Sequence, residues 1–232
     1  MSRPGRDRRV SEVPVLGVYS EALSSGRRLR LHHDDGHVQE YDVGRWTRDA
    51  DPVDLRMLSR CNGPTLDLGC GPGRLVAALA QRGVPALGVD ISMRAVEMTR
   101  HRGAAAIVRD LFAPLPGEGR WEAAVLADGN VGIGGDPGRL LSRVRQLLRP
   151  NGIALVEVSP SDVDRRGRAR LLALDGSPSK SFAWADIGLP ALRREALETG
   201  WTVQESWDDG GRRFTVLLPM GLLFGSPGMS VG

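Results

Sequence analysis

Cysteine is scarce in this chain of 232 residues, with only Cys61 and Cys70 present. Two cysteines make no disulfide framework. A chain of this length buries roughly 70% of its unfolded surface, so it needs neither disulfides nor a structural metal to hold a core. Lysine is scarcer still: Lys180 is the single lysine among 31 Lys+Arg, set against 28 Asp+Glu. A GC-rich genome produces that arginine bias without selection for phosphate binding, and acidic residues are interspersed along the chain. No basic stripe therefore marks a nucleic-acid face, despite the net charge of +3. Long apolar runs are missing too. The longest, Val216 to Gly225, contains Pro219 and falls short of the ~18 residues of a membrane span. Arg3, Arg6, Arg8 and Arg9 have no apolar stretch behind them, which argues against a secretory signal and makes the reducing cytoplasm the expected compartment.

What is abundant is glycine, 30 residues, placed between regularly alternating segments. Residues 1–14 are polar and Arg-rich and read as a mobile tail. Residues 15–62 follow as an N-terminal hairpin and helix. Within them Arg28 to His32 and His37 to Tyr41 flank His33-Asp-Asp-Gly36, a hairpin signal, and Asp51-Pro52 opens a helix with Asp as N-cap. From 63 to 218 the pattern predicts strands at Pro64–Leu68, Ala86–Asp90, Ala105–Arg109, Trp121–Ala127 and Ile153–Ser159, separated by helices of 10 to 14 residues. The last helix, Leu189 to Glu198, leads into two strands joined by Asp208-Asp-Gly-Gly211. This is an α/β, doubly wound (Rossmann-like) seven-stranded mostly parallel sheet with an antiparallel last strand, plus an N-terminal hairpin and helix extension. A tail, 219–232, closes the chain, and the apolar stretch Val216–Phe224 is explained mainly as core strand and trailing turn.

The strongest local signal is Leu66-Asp-Leu-Gly-Cys-Gly-Pro-Gly-Arg74, where the first strand of the sheet meets its helix. Three glycines there let the backbone turn sharply and approach a ligand, at the strand ends where open α/β sheets bind. A dinucleotide fingerprint would need glycine at 74, where Arg stands. The spacing D-x-G-x-G-x-G instead resembles the first motif of class I S-adenosylmethionine (SAM) dependent methyltransferases, and Gly88-Val-Asp-Ile-Ser92 and Arg109-Asp-Leu-Phe112 resemble the second and third. The stretch Leu66 to Glu157, with Ala127-Asp-Gly-Asn-Val-Gly-Ile-Gly-Gly-Asp-Pro137, is similar to small actinobacterial-type enzymes of that family acting on small molecules. The resemblance implies SAM as cofactor and S-adenosylhomocysteine (SAH) as product. It implies that Asp67, Gly69, Cys70, Gly71 and Gly73 cradle the methionine and ribose, Asp90 holds the ribose hydroxyls, Asp110 takes the adenine amino group, and Ile91 and Leu111 wall the adenine.

The acceptor side is expected from Tyr19–Thr47 and Ser159–Trp184, with Asp128, Asn130 and one hairpin histidine, His33, as candidates for acceptor positioning or proton removal. Arg45 is a further candidate, for the methionine carboxylate. His32, His33 and His37 beside Asp34 and Asp35 read as hairpin residues, and no metal site is expected. No N-P-P-[YF] tetrapeptide follows the fourth strand, which disfavours DNA methylation. The expected activity is methyl transfer to oxygen or nitrogen of a small molecule, of the kind made in secondary metabolism, by a monomer or homodimer. Two alternatives stay open: a SAM-binding fold without methyl transfer, and an RNA or protein methyltransferase.

Overall fold

A computed structural model describes residues 13–221. Residues 1–12 and 222–232, which make up most of both expected tails and the end of the Val216–Phe224 run, lie outside the described residues. No described helix is long and apolar enough to cross a membrane.

The chain runs α1 (Val15–Ser25), β1 (Leu29–His33), β2 (Val38–Tyr41), α2 (Val43–Thr47), α3 (Pro52–Leu58), β3 (Thr65–Leu68), α4 (Arg74–Gln81), β4 (Ala86–Asp90), α5 (Met93–His101) and β5 (Ala106–Val108). It continues with β6 (Trp121–Leu126), α6 (Pro137–Leu147), β7 (Leu148–Val158), β8 (Asp164–Leu172), β9 (Phe182–Ile187), α7 (Leu189–Glu198), β10 (Trp201–Asp209) and β11 (Arg212–Pro219). Local chemistry sets several boundaries. Asp51 and Asp54 form a capping box at α3, Ser92 Oγ accepts from the Ala95 amide at α5, and the Asp136 side chain accepts from the Arg139 amide at α6.

Seven strands form one sheet in the order β10-β11-β7-β6-β3-β4-β5. β3 pairs in parallel with both β4 and β6, and β11 runs antiparallel to both neighbours, β7 and β10. The inverted last strand follows from the turn at Gly210-Gly211, both at positive φ. All of β3 is buried because both sheet faces are covered. On one face Leu66, Leu68, Ala124 and Leu126 meet α6 and α7, and on the other Ala123 and Val125 meet Met57, Leu58, Leu75 and Leu79 of α3 and α4. The chain leaves β3 toward β4 and β5, then returns across it to β6 and β7. That reversal opens a crevice at the carboxyl ends of β3 and β6.

A second sheet, β2-β1-β8-β9, is antiparallel throughout. The hairpin around Gly36 is as expected, but its continuation by β8 and β9, inserted between β7 and α7, was not visible in the sequence. β8 reads Asp-Arg-Arg-Gly-Arg-Ala-Arg-Leu-Leu, and only Ala169 and Leu171 are buried. Arg166, Arg168 and Arg170 on the more open face, with Arg165 on the same face as Ala169 and Leu171, hide an alternation just two positions long. α1 packs Val18, Ala22 and Leu23 against Leu29, Leu31, Ala169 and Leu171. At its other edge β9 meets the turn Asn130–Gly132, with Ile133 bridging Trp184. Gly132 lies so close that a Cβ there would stand 1.8 Å from the Ala185 carbonyl oxygen. The second sheet is thereby fixed over the crevice of the first.

Candidate active site

Between Leu68 and Arg74 the backbone takes positive φ at Gly69 (76°), Gly71 (54°) and Gly73 (86°), and each glycine has its own reason. Asn130 Nδ2 donates to the carbonyls of Leu68 and Gly69 at 3.0 and 2.9 Å. A Cβ on Gly69 would lie 2.6 Å from that nitrogen. At Gly73 it would lie 2.5 Å from Thr99 Oγ1, so Gly73 permits the loop to close on α5. At Gly71 a Cβ would meet only Tyr19 Oη, at 3.3 Å. Gly71 is the point where bare backbone faces open space. Cys70 turns its thiol toward Thr99 Oγ1, 3.9 Å away, and burial pushes its pKa up.

Three carboxylates stand at three successive strand ends. Asp67, on β3, is 1% exposed and its Oδ2 has no hydrogen-bond partner among the described residues. Burial pushes its pKa up to about 7, with Arg74 opposing and Asp128 and Asp90 adding. Asp90 ends β4, with Oδ2 accepting from the Gly71 amide at 2.9 Å and Oδ1 from the Ser92 amide at 2.8 Å. Burial lifts its pKa against those bonds. Asp110, beyond β5, is exposed and accepts from the Phe112 amide at 2.9 Å. Asp67, Gly69, Cys70, Gly71, Asp90, Ile91, Asp110 and Leu111 all line one cavity of about 280 Å³, whereas Gly73 is not on its wall. The opposite wall comes from α1, β1, β2, α2, β8 and β9.

Residues 31–216 match the family described as a methyltransferase domain. The chain belongs to that methyltransferase family. In fold the methyltransferase is similar to a SAM-dependent methyltransferase from Bacteroides fragilis solved with SAH: TM-score 0.74 at 22% identity, covering 91% of this chain and 96% of that one. It is also similar to the Burkholderia thailandensis 1,6-didemethyltoxoflavin-N1-methyltransferase, at TM-score 0.55 and 19% identity over 76% and 82% of the two chains. A third likeness is to the CcbJ methyltransferase of Streptomyces caelestis, at TM-score 0.59 and 16% identity over 89% and 98%. A dinucleotide-dependent oxidoreductase, which would share this fold class and whose fingerprint Arg74 breaks, is set aside by the family match.

Beneath the loop the methyltransferase holds a buried charge network that sequence reasoning missed. Arg74, 4% exposed, stands 2.5 Å from Asp54 Oδ2 and 2.5 Å from Asp128 Oδ2. Arg212 reaches Asp54 Oδ1 at 2.7 Å and Glu157 through Nε and Nη2, at 2.8 and 2.6 Å. Arg45 lies 3.3 Å from Asp128 Oδ1. Glu157 also accepts from the Asp128 amide at 2.7 Å, fixing a residue held at φ 55°. Three arginines thus face three carboxylates. Burial works against the Asp54 charge, but Arg74 and Arg212 outweigh it and hold its carboxyl below the usual range. At Asp128 burial prevails over Arg74, Arg45 and Arg212, and the pKa is raised. The signal available in the sequence was Arg74 itself, a long charged side chain opening a helix whose next five residues, Leu75 to Leu79, are apolar and buried.

The acceptor-side candidates separate. Asp128 and Asn130 line the cavity, Asp128 with both oxygens facing arginines and Asn130 with its amide nitrogen on the loop carbonyls. Arg45 lies 3.8, 3.6 and 3.3 Å from the acids at 51, 54 and 128, its Nη2 without a hydrogen bond among the described residues, and it is not on the cavity wall. His33 is buried at the end of β1 and is not on the cavity wall. Burial lowers its pKa, with Arg165 adding.

Proposed function

We propose that this methyltransferase binds SAM in the cavity at the ends of β3, β4 and β5 and methylates a small-molecule acceptor, releasing SAH. The observation that carries the reading is the unpartnered, buried Asp67 Oδ2 on the same wall as the bare Gly71 backbone, Asp90 and Asp110. An unsatisfied carboxylate oxygen suits a cationic amino group. Asp90 uses one lone pair per oxygen on the loop, leaving acceptors for two ribose hydroxyls, and exposed Asp110 suits the adenine amino group. When bound, the sulfonium supplies an electrophilic methyl. The protein's part is then to orient and to exclude water. Asn130 fixes the loop carbonyls, and α1 and the second sheet cover the crevice. Burial raises the pKa of Tyr19 and Tyr41, so both remain phenols at neutral pH and serve as hydrogen-bonding groups. The toxoflavin-precursor enzyme among the similar folds carries its small acceptor in the crystal, which supports an acceptor of that size here. Both cysteines are buried free thiols, in keeping with a cytoplasmic setting.

Asp90→Ala removes the charged acceptor and the brace on Gly71. SAM affinity by calorimetry is expected to fall by ~1.5–3 kcal/mol, roughly 10- to 150-fold. Unchanged affinity would contradict the ribose assignment.

Asp67 gives the binding a pH signature. Its raised pKa means the carboxyl is largely neutral at pH 6 and ionised at pH 8, and only the ionised form pairs with an ammonium group. Because the ammonium group itself begins to lose its proton near pH 8, SAM affinity is expected to rise about fourfold between those pH values, and Asp67→Asn to remove that rise at a weak level. In the free protein the sign is opposite: ionising Asp67 between its unfolded pKa near 3.9 and about 7 destabilises the fold. The variant is therefore stabilised relative to wild type at pH 8 more than at pH 5.

A further inference from the structure

Aromatic residues are only 5% of the chain, yet both tyrosines, two of the five tryptophans and one of the four phenylalanines line the active-site cavity. They arrive from separate elements. Tyr19 comes from α1, Tyr41 from β2, Trp46 from α2, and Phe182 and Trp184 from β9. None is fully buried. The rings form two groups. Tyr41 and Trp46 stand 5.4 Å apart at 44°, with Tyr19 edge-on to Trp46 at 6.3 Å. Phe182 and Trp184 stand 6.1 Å apart at 81°. A hydrophobic lid alone would be served by aliphatic side chains. Tilted and edge-on rings around a cavity instead offer π-faces and edges to a further ring.

One polar group sits among them. Among the described residues the buried Tyr41 hydroxyl has no partner in good hydrogen-bonding geometry, and its polar neighbour, the Trp184 indole N–H, is a donor only, so the phenol's own proton is uncommitted. A buried unbonded hydroxyl is unfavourable, and it is satisfied when a ligand supplies the partner. The local charges favour a neutral ligand. The two carboxylates that act on Tyr41 are already matched, Asp186 by Arg165 and Asp128 by Arg45, Arg74 and Arg212, so a cation beside that ring would compete with arginines already in place.

We propose that the acceptor is a neutral, planar aromatic or heteroaromatic ring, held between the Tyr41–Trp46 and Phe182–Trp184 groups with the Tyr41 hydroxyl bonded to a heteroatom on its edge. The proposal rests on the donor reading above for the direction from which the methyl arrives, but ring binding is measurable without it.

The probes are 2-naphthol, its saturated counterpart decahydro-2-naphthol, and cyclohexyltrimethylammonium, titrated by calorimetry into the full-length protein with and without saturating SAH. The expected result is 2-naphthol binding at least about tenfold tighter than either other probe. Trp184→Leu and Trp46→Leu are each expected to cut naphthol affinity about tenfold while SAH affinity, which reports on the fold, stays within about twofold. Tyr41→Phe should weaken naphthol about three- to tenfold. Equal affinity for the planar and saturated alcohols, including none for either, would overturn the proposal. Tighter binding of the ammonium probe, or naphthol binding indifferent to both tryptophans, would do the same. Ring selectivity in a protein that does not bind SAH would support the slot and overturn the donor reading alone.

Discussion

Arg74→Met is expected to cost the fold about 3–5 kcal/mol, because it takes from both Asp54 and Asp128 the cation that lies 2.5 Å from each. Asp54 is 1% exposed, so water is not available to replace the guanidinium. For a chain of this size each kcal/mol shifts Tm by roughly 2–4 °C, which puts the midpoint about 6–20 °C below wild type. The deficit has a pH sign. With Arg74 gone, both carboxyls gain affinity for protons, so the loss is largest near pH 8 and shrinks as the pH falls and they become neutral. Adding Asp128→Asn is expected to return part of the stability at pH 8. A thermal shift of only a degree or two at pH 8 would show that the network is not a buried, interdependent unit.

Gly71→Val is expected to abolish SAM binding, at least about a hundredfold loss, while leaving the circular dichroism spectrum in place. At φ 54° a β-branched residue is strained, and its Cβ would start 3.3 Å from Tyr19 Oη, on the cavity side. Strain and steric obstruction are separated by Gly83→Val. Gly83 has φ 74° with nothing within 4 Å of a Cβ, so this variant carries the backbone strain far from the ligand. Gly83→Val is expected to lose stability and keep SAM affinity. If both variants bind SAM as wild type does, the loop does not cradle the donor.

The parts of this protein legible in its sequence were those governed by neighbours in the chain. The turn from β3 into α4 announces itself by three glycines in five residues, the caps at Asp51, Ser92 and Asp136 lie beside the helices they start, and the β10–β11 hairpin is written in Asp208 to Gly211. Asp90 and Asp110 were locatable because the first closes its short strand and the second stands two residues past its own. The hidden parts are long-range. β8 carries too few buried positions to show a period, and its pairing of Leu31 with Leu171 joins segments 140 residues apart. The Asp54–Arg74–Asp128–Glu157–Arg212 network assembles five elements whose charges, read singly, look like solvated surface. Asn130 was singled out as an acceptor-side residue, and its amide turns out to hold the loop through the Leu68 and Gly69 carbonyls. Spacing cannot distinguish those roles, because both require a polar side chain at the end of β6. His33 shows the converse. Its near-neutral titration suggested a base, but strand alternation puts it on the inner face of β1 one step beyond Leu31, past the cavity wall.

The measurement that bears most directly on the central claim is isothermal titration of the purified protein with SAM and, separately, with NADH and NADPH. The account predicts one SAM site of micromolar affinity, tighter at pH 8 than at pH 6, and no heat from either nicotinamide. Absence of SAM binding at both pH values, or saturable nicotinamide binding, would contradict it.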